Sequence, residues 1–262
     1  MRRYPAERIV CLTEETVETL YLLGEQDRIV GVSGYAVRPP EVRREKPRIS
    51  SFTSADVGKI AALKPDLVLA FSDIQGPIIP DLARAGFSVH LFNQRDLAGI
   101  FAMIRTLGAL IGEPAKADAL ARKLETRITD IAAETRGHVN RPRIYFEEWN
   151  DPMISGIGWV SELIAIAGGT DIFADRAMKP TASERIVTSE EVIAHRPDLV
   201  LASWCGKKVR IESIRAREGW SAIPAVASGR IVEIKSPLIL QPGPAALTDG
   251  LDAIRAALHR TP

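Results

Sequence analysis

A chain of 262 residues with 46% apolar and 26% charged side chains has the make-up of an ordinary soluble globule, long enough for two lobes of normal size. A formal net charge of +1 and the absence of a dense Lys/Arg run argue against a nucleic-acid surface, and no apolar run approaches the roughly 18 residues of a membrane span. Two isolated cysteines, Cys11 and Cys205, make neither a disulfide framework nor a metal-spacing motif.

Arg8 to Leu12 reads as the first strand. It is entered without an apolar signal core, so the chain as written is expected to be cytoplasmic, and periplasmic if a signal was trimmed. Thr13 is placed to cap the next helix, with Glu14 and Glu15 in its first turn, where acids favour the positive end of the dipole. Val17, Leu20, Tyr21 and Leu23 follow at helical spacing, and Gly24 ends the helix. Arg28 to Ser33 is a second strand, which ends at Gly34-Tyr35. Pro39 and Pro40 begin a loop to Ile49–Phe52, and Thr53 to Asp56 opens another helix.

The next stretch is written twice. Pro65-Asp-Leu-Val-Leu-Ala70 returns letter for letter as Pro197-Asp-Leu-Val-Leu-Ala202, each copy preceded by a short amphipathic segment. Each unit reads as a helix that stops before its proline, followed by a strand apolar enough to be covered on both faces of a parallel sheet. Both strands run out into an aromatic, Phe71 or Trp204. A helix over Pro77–Ala85 and a strand over Phe87–Phe92 complete a first lobe of about four parallel strands.

From Leu97 the period changes. Leu97, Ile100, Phe101, Ile104, Leu107 and Ile111 share one helical face, and a second helix runs from about Ala115 to Thr135, which makes a stiff link. The second half holds a strand at Arg143–Trp149, a turn at Asn150–Met153 and a helix at Trp159–Ala167. A polar stretch from Asp175 to Arg185 precedes the second repeat. A basic segment from Lys207 to Arg217, a strand at Gly229–Ile234 and a closing helix at Ala245–His259 follow it. The expected fold class is α/β, with two Rossmann-like βα lobes joined by one long rigid helix and a ligand cleft between the lobes. The domains are residues 1–96, a helical segment 97–140, and residues 141–262.

No nucleophile elbow, phosphate loop, His-Glu-x-x-His or dinucleotide fingerprint occurs, and the four histidines are scattered. No catalytic or metal residue is therefore assigned. Ligands of open α/β sheets gather at the carboxyl ends of the strands. Tyr35, Phe52, Phe71 and Phe92 fall there in the first half, as do Glu147, Glu148, Trp149, Trp204 and Lys235 in the second. The aromatics either plug the sheet ends or wall a pocket. The adjacent glutamates either meet a ligand or pair with Arg or Lys across the cleft. Cys11 reads as a buried reduced thiol, and Cys205 as facing the cleft.

Several stretches together carry a resemblance: Ile9–Leu20, Val30–Tyr35, Ile60–Val68, Ser155-Gly156 with Ala167–Phe173, and Ser189–Asp198. The chain resembles the substrate-binding proteins of ABC importers whose two lobes are joined by one rigid helix, which bind cobalamin, ferric siderophores or haem. It is most similar to the cobalamin binders. The resemblance implies a binding protein rather than an enzyme. Its ligand would be cobalamin, another corrinoid or another metal chelate, with no cofactor required. It also implies a monomer that delivers to an ABC permease, with no nucleic-acid partner and no membrane span. Tyr35, Phe52 and Phe71 match pocket aromatics of the family, and Trp149 lies near another. Glu190 matches the carboxylate by which the second lobe docks on the permease. The first-lobe counterpart is Gly58, with Asp56 the nearby acid. Affinity would come from aromatic burial, and specificity from Glu147 or Glu148, Lys235 and backbone groups at Gly34 and Gly206. The alternative on the same scaffold is a cytoplasmic enzyme or handling protein for a metal chelate, with Cys205 and Glu148 as its reactive groups.

Overall fold

The computed structural model describes residues 4–51 and 54–259. They divide into two compact units, Met1–Gln94 with Ala98–Leu124 and Arg95–Leu97 with Glu125–Pro262. The helical stretch 97–140 is thus shared between the units. A pair of helices with one apolar stripe has no core of its own and must bury that stripe elsewhere.

In the first unit, five parallel strands are ordered β3-β2-β1-β4-β5 among the described residues. They are β1 (Ile9–Cys11), β2 (Ile29–Ser33), β3 (Arg48–Ser50), β4 (Leu67–Phe71) and β5 (Val89–Phe92). The expected four becomes five because Arg48–Ser50 pairs with β2 as an edge strand. Ile9, Val10 and Cys11 lie opposite Leu67, Val68 and Leu69. Val10 and Val68 point into a cluster with Leu12, Ile60 and Leu82, yet Ile9, Cys11 and Leu69 on the other face are also fully buried. Both faces of this sheet are covered, which is why its central strands read as unbroken apolar runs. Helices Leu97–Leu110 and Pro114–Thr135 approach closely in this unit. A Cβ added at Gly108 would stand 2.1 Å from the Cβ of Ala117, so a side chain there would force the backbones apart.

In the second unit the order is β10-β9-β6-β7, with β8 also on β6. The strands are β6 (Arg143–Asn150), β7 (Met153–Ser155), β8 (Thr170–Asp171), β9 (Leu199–Ala202) and β10 (Ile231–Glu233). Here the structure departs from expectation. β6 does not stop at Trp149. Beyond Glu147 it leaves its parallel partner β9 and folds into an antiparallel hairpin with β7 across Asp151-Pro152. Glu147, Glu148 and Trp149 therefore stand where the hairpin begins rather than at a free strand end. Tyr145, Phe173, Val200, Trp204, Trp220 and Ile231 belong to the core of this unit. Tyr145 meets Phe173 and Trp220 edge-on, with ring centroids 5.8 and 6.0 Å apart.

The repeated hexapeptide occupies equivalent places in the two sheets. The residue before each proline, Lys64 or Arg196, adopts a left-handed conformation with φ of 49° and 46° respectively. It is excluded from the α region before proline, and the left-handed cap is the other way to end a helix. Each following aspartate ties the new strand to its neighbour. Asp66 accepts from the backbone N–H groups of Glu7 and Arg8 at 2.9 and 3.0 Å, and Asp198 from that of Arg143 at 2.8 Å. An arginine opens both neighbour strands, and Arg8 also donates to the carbonyls of Leu63 and Lys64 at the end of helix Val57–Ala62.

Candidate functional site

The carboxyl edge of the second sheet is built around Glu147. It is fully buried and its carboxylate has about four acceptor positions, all filled. Arg217 donates twice, at 2.5 and 3.0 Å, Tyr145 Oη once at 3.2 Å, and the Trp204 indole Nε1 once at 3.1 Å. This corrects the reading of Glu147 as a ligand contact. No lone pair is left to offer, and the side chain instead fixes the indole of Trp204. Burial first, and then the adjacent Glu147 charge, push the Tyr145 phenol well up. Glu148 is likewise held by a bidentate pair, to Arg185 at 2.6 and 3.0 Å. Arg185 is 2% exposed and also donates to the Ser155 carbonyl, so it seals the β7 side of the hairpin. Both glutamates thus pair with arginines of their own unit, which neither sequence alternative had foreseen.

Trp204 is 3% exposed and forms part of the wall of a cavity of about 720 Å³, completed by Asn150, Lys207, Lys208, Arg210 and Ser213. Gly206, at φ 70°, turns the chain directly after Trp204, and the Lys207 N–H donates to the Trp204 carbonyl at 3.0 Å. Residues 207–210 are thereby brought back beside the indole. The Lys207 ammonium sits 4.0 Å from the ring centroid of Trp149, whose own indole N–H donates to the Asp151 carbonyl at 2.9 Å. Lys235 is exposed and pairs with Glu233 at 2.9 Å. It does not line the cavity. Cys205 is exposed beside it, while Cys11 is buried and its thiol is pushed up to about 12 by burial.

In the first unit, Tyr35 is 49% exposed after β2, and the adjacent Gly34 donates its N–H to the Ser50 carbonyl at 2.8 Å. Phe71, at the end of β4, is buried, and its N–H donates to the Gln75 side chain at 3.0 Å. Phe52 lies outside the described residues. A polar cavity of about 290 Å³, lined by Arg48, Ser50, Ser51, Ser54, Asp56 and Lys59, adjoins β3.

Two residues at this edge escaped the sequence reading. Glu14 and Glu15, just past β1, are 5% and 1% exposed rather than solvated. Thr13 donates its hydroxyl to Glu15 at 2.6 Å and does not cap the helix with it. One oxygen of each glutamate is buried without a partner. Burial pushes Glu14 up to about 7 and Glu15 up to about 8. A Glu-Glu pair directly after the apolar run Ile9–Leu12, with no basic residue a turn away, was the signal that could have found them.

Helix Ser189–His195 opens with a complete capping box of Thr188 and Glu191. Glu190 is exposed on its first turn, where the backbone N–H at its own position, with the Thr188 hydroxyl, lowers its pKa. In the first unit Asp56 is the N-cap of helix Val57–Ala62, accepting from the Lys59 N–H at 3.0 Å, and Gly58 is exposed.

Residues 9–238 match the family model described as periplasmic binding protein. The chain belongs to that family. It is 26% identical over 262 residues to an ABC transporter substrate-binding lipoprotein of Bacillus subtilis, covering 97% of this chain and 80% of that protein. It is 26% identical over 249 residues to the vitamin B12-binding protein of Vibrio cholerae, covering 93% and 86%. Among solved structures, the periplasmic heme-binding protein RhuT of Roseiflexus superposes with a TM-score of 0.82 at 26% identity, covering 96% of this chain and 99% of RhuT. The vitamin B12-binding protein BtuF of Vibrio cholerae gives 0.76 at 24% identity, covering 97% of each, and shares the two-lobed α/β fold. No helix among the described residues is long and apolar enough to cross a membrane.

Proposed function

We propose that this protein binds a metal chelate of the corrinoid or tetrapyrrole kind and delivers it to an ABC permease, without catalysing a reaction and without a cofactor. The family match across residues 9–238 carries the reading, and relatives named for vitamin B12 and heme support the ligand class. At the residue level it is supported by a cavity of about 720 Å³, within the usual range for small-molecule sites, walled in part by an immobilised indole. We assign ligand contact to Trp204 and Trp149 in the second unit, and to Tyr35, Phe52 and Phe71 in the first. Glu190 is the assigned contact to the permease. Titration of the purified protein with cobalamin, cobinamide, haem and ferric siderophores tests the ligand class. Micromolar or tighter binding of at least one is expected, and failure of all of them defeats the reading. Fractionation of cells expressing the full-length gene tests delivery. Export is expected, and retention in the cytoplasm would favour a handling protein on the same scaffold.

A further inference from the structure

We propose that the cavity beside Trp204 holds an anionic arm of the ligand, a carboxylate or a phosphate, with Lys208 and Arg210 as its counter-charges. This deepens the reading of the protein as a chelate binder and rests on it. Three cations line the cavity, Lys207, Lys208 and Arg210, and no acid does. Elsewhere in this unit the cations near the sheet are matched: Arg217 with Glu147, Arg185 with Glu148 and Arg176 with Glu191. None of the three cavity cations makes an ion pair within 4.0 Å among the described residues, although Lys208 lies near enough to Glu233 to help lower its pKa. Glu233, the acid nearest this segment, is already engaged by Lys235 at 2.9 Å and by the Val209 N–H at 3.2 Å. Like charges held together repel, and an anion placed among them relieves that cost while gaining charge-assisted hydrogen bonds.

A further detail fits a ligand that carries such an arm on a flat body. The Trp204 indole cannot swing away, because Glu147 holds its N–H, so it offers a fixed apolar face next to the charges. An arginine fork and a lysine point charge beside an aromatic plane form a grouping that recognises an oxyanion attached to a planar ring system.

The test uses the full chain and ligand pairs that differ in the arm alone. Haem and its dimethyl ester share a plane but differ in free carboxylates, and, as the cobalamin pair, cobinamide phosphate and cobinamide share a corrin but differ in the phosphate. The anion-bearing member of at least one pair is expected to bind at least about tenfold more tightly, and that preference is expected to shrink between about 0.05 and about 0.5 M salt. The haem pair reports a carboxylate and the cobalamin pair a phosphate. Lys208→Ala with Arg210→Ala should abolish the preference by lowering the affinity for the anion-bearing member at least about tenfold. Both side chains are exposed, so an unaltered unfolding midpoint serves as the folding control. Equal affinity within both pairs, or a preference that survives the double substitution, overturns the inference and leaves the chelate-binding reading standing. Binding of neither pair nor of any siderophore overturns both.

Discussion

The two units present the same strand frame but finish it with opposite electrostatics. Counting from the paired residues Ile9↔Leu67 and Ile144↔Leu199, Leu12 and Glu147 occupy corresponding positions. In the second unit every acceptor position of the buried acid is filled, by Arg217, Tyr145 and Trp204. In the first, Glu14 and Glu15 are buried with an oxygen each left unpartnered, and desolvation holds their protons to about pH 7 and 8. The contrast shows two ways to place a carboxyl group in an apolar edge: surround it with donors, or keep it neutral. The first fixes neighbouring side chains. The second leaves the fold sensitive to pH.

The largest test of that contrast is Glu147→Ala. It leaves the half-buried Arg217 guanidinium without its partner and frees the Trp204 indole, and should cost roughly 3 kcal/mol in denaturant unfolding. Glu15→Gln should do the reverse. An unfolded glutamate releases its proton near 4.5, whereas folded Glu15 keeps it to about 8. Between those values the folded chain binds more protons than the unfolded one, so stability falls as pH rises, and above about 8 it falls no further. The amide removes that loss, so the variant should be more stable by on the order of 2 kcal/mol at alkaline pH and indistinguishable near pH 4. Unfolding curves at the two pH values check it, and a pH-independent difference would contradict the buried-acid account.

The aspartates of the repeat should show what the units share. Asp66→Ala and Asp198→Ala should each cost about 1–2 kcal/mol, the first more, because Asp66 holds two backbone donors and Asp198 one. Paired unfolding measurements read the difference directly. The smallest effect belongs to Lys64→Gly and Arg196→Gly. Each relieves a left-handed non-glycine residue and should raise stability by up to about 1 kcal/mol, by similar amounts in both units. Thermal midpoints would show whether the two caps are equivalent.

Much of the frame was legible because repetition is a sequence property. Pro-Asp-Leu-Val-Leu-Ala, read twice, located β4 and β9, and the 3.6-residue stripe from Leu97 located the helices that follow the first lobe. The function of the repeated aspartate was not legible. Its partners are backbone groups of strands that lie more than fifty residues earlier. The β6–β7 hairpin was missed because Met153–Ser155 is a strand of only 3 residues directly after the turn at Asp151-Pro152. The residues that neutralise its glutamates, Arg185 and Arg217, stand 37 and 70 positions downstream of Glu148 and Glu147. Of the residues about the cavity, the sequence singled out Trp204, while Lys207, Lys208 and Arg210 stood only as part of a basic segment. Only the turn at Gly206 brings them beside the indole.

An indole clamped through its nitrogen to a carboxylate, which is clamped in turn to an arginine, is a wall that cannot re-pack around its guest. Ligands should therefore be sorted by thickness and by the placement of their charged arms, and poor fits should be turned away rather than accommodated. Such a wall loses little motion when a guest arrives, so discrimination between related molecules should appear in how quickly the wrong ones leave.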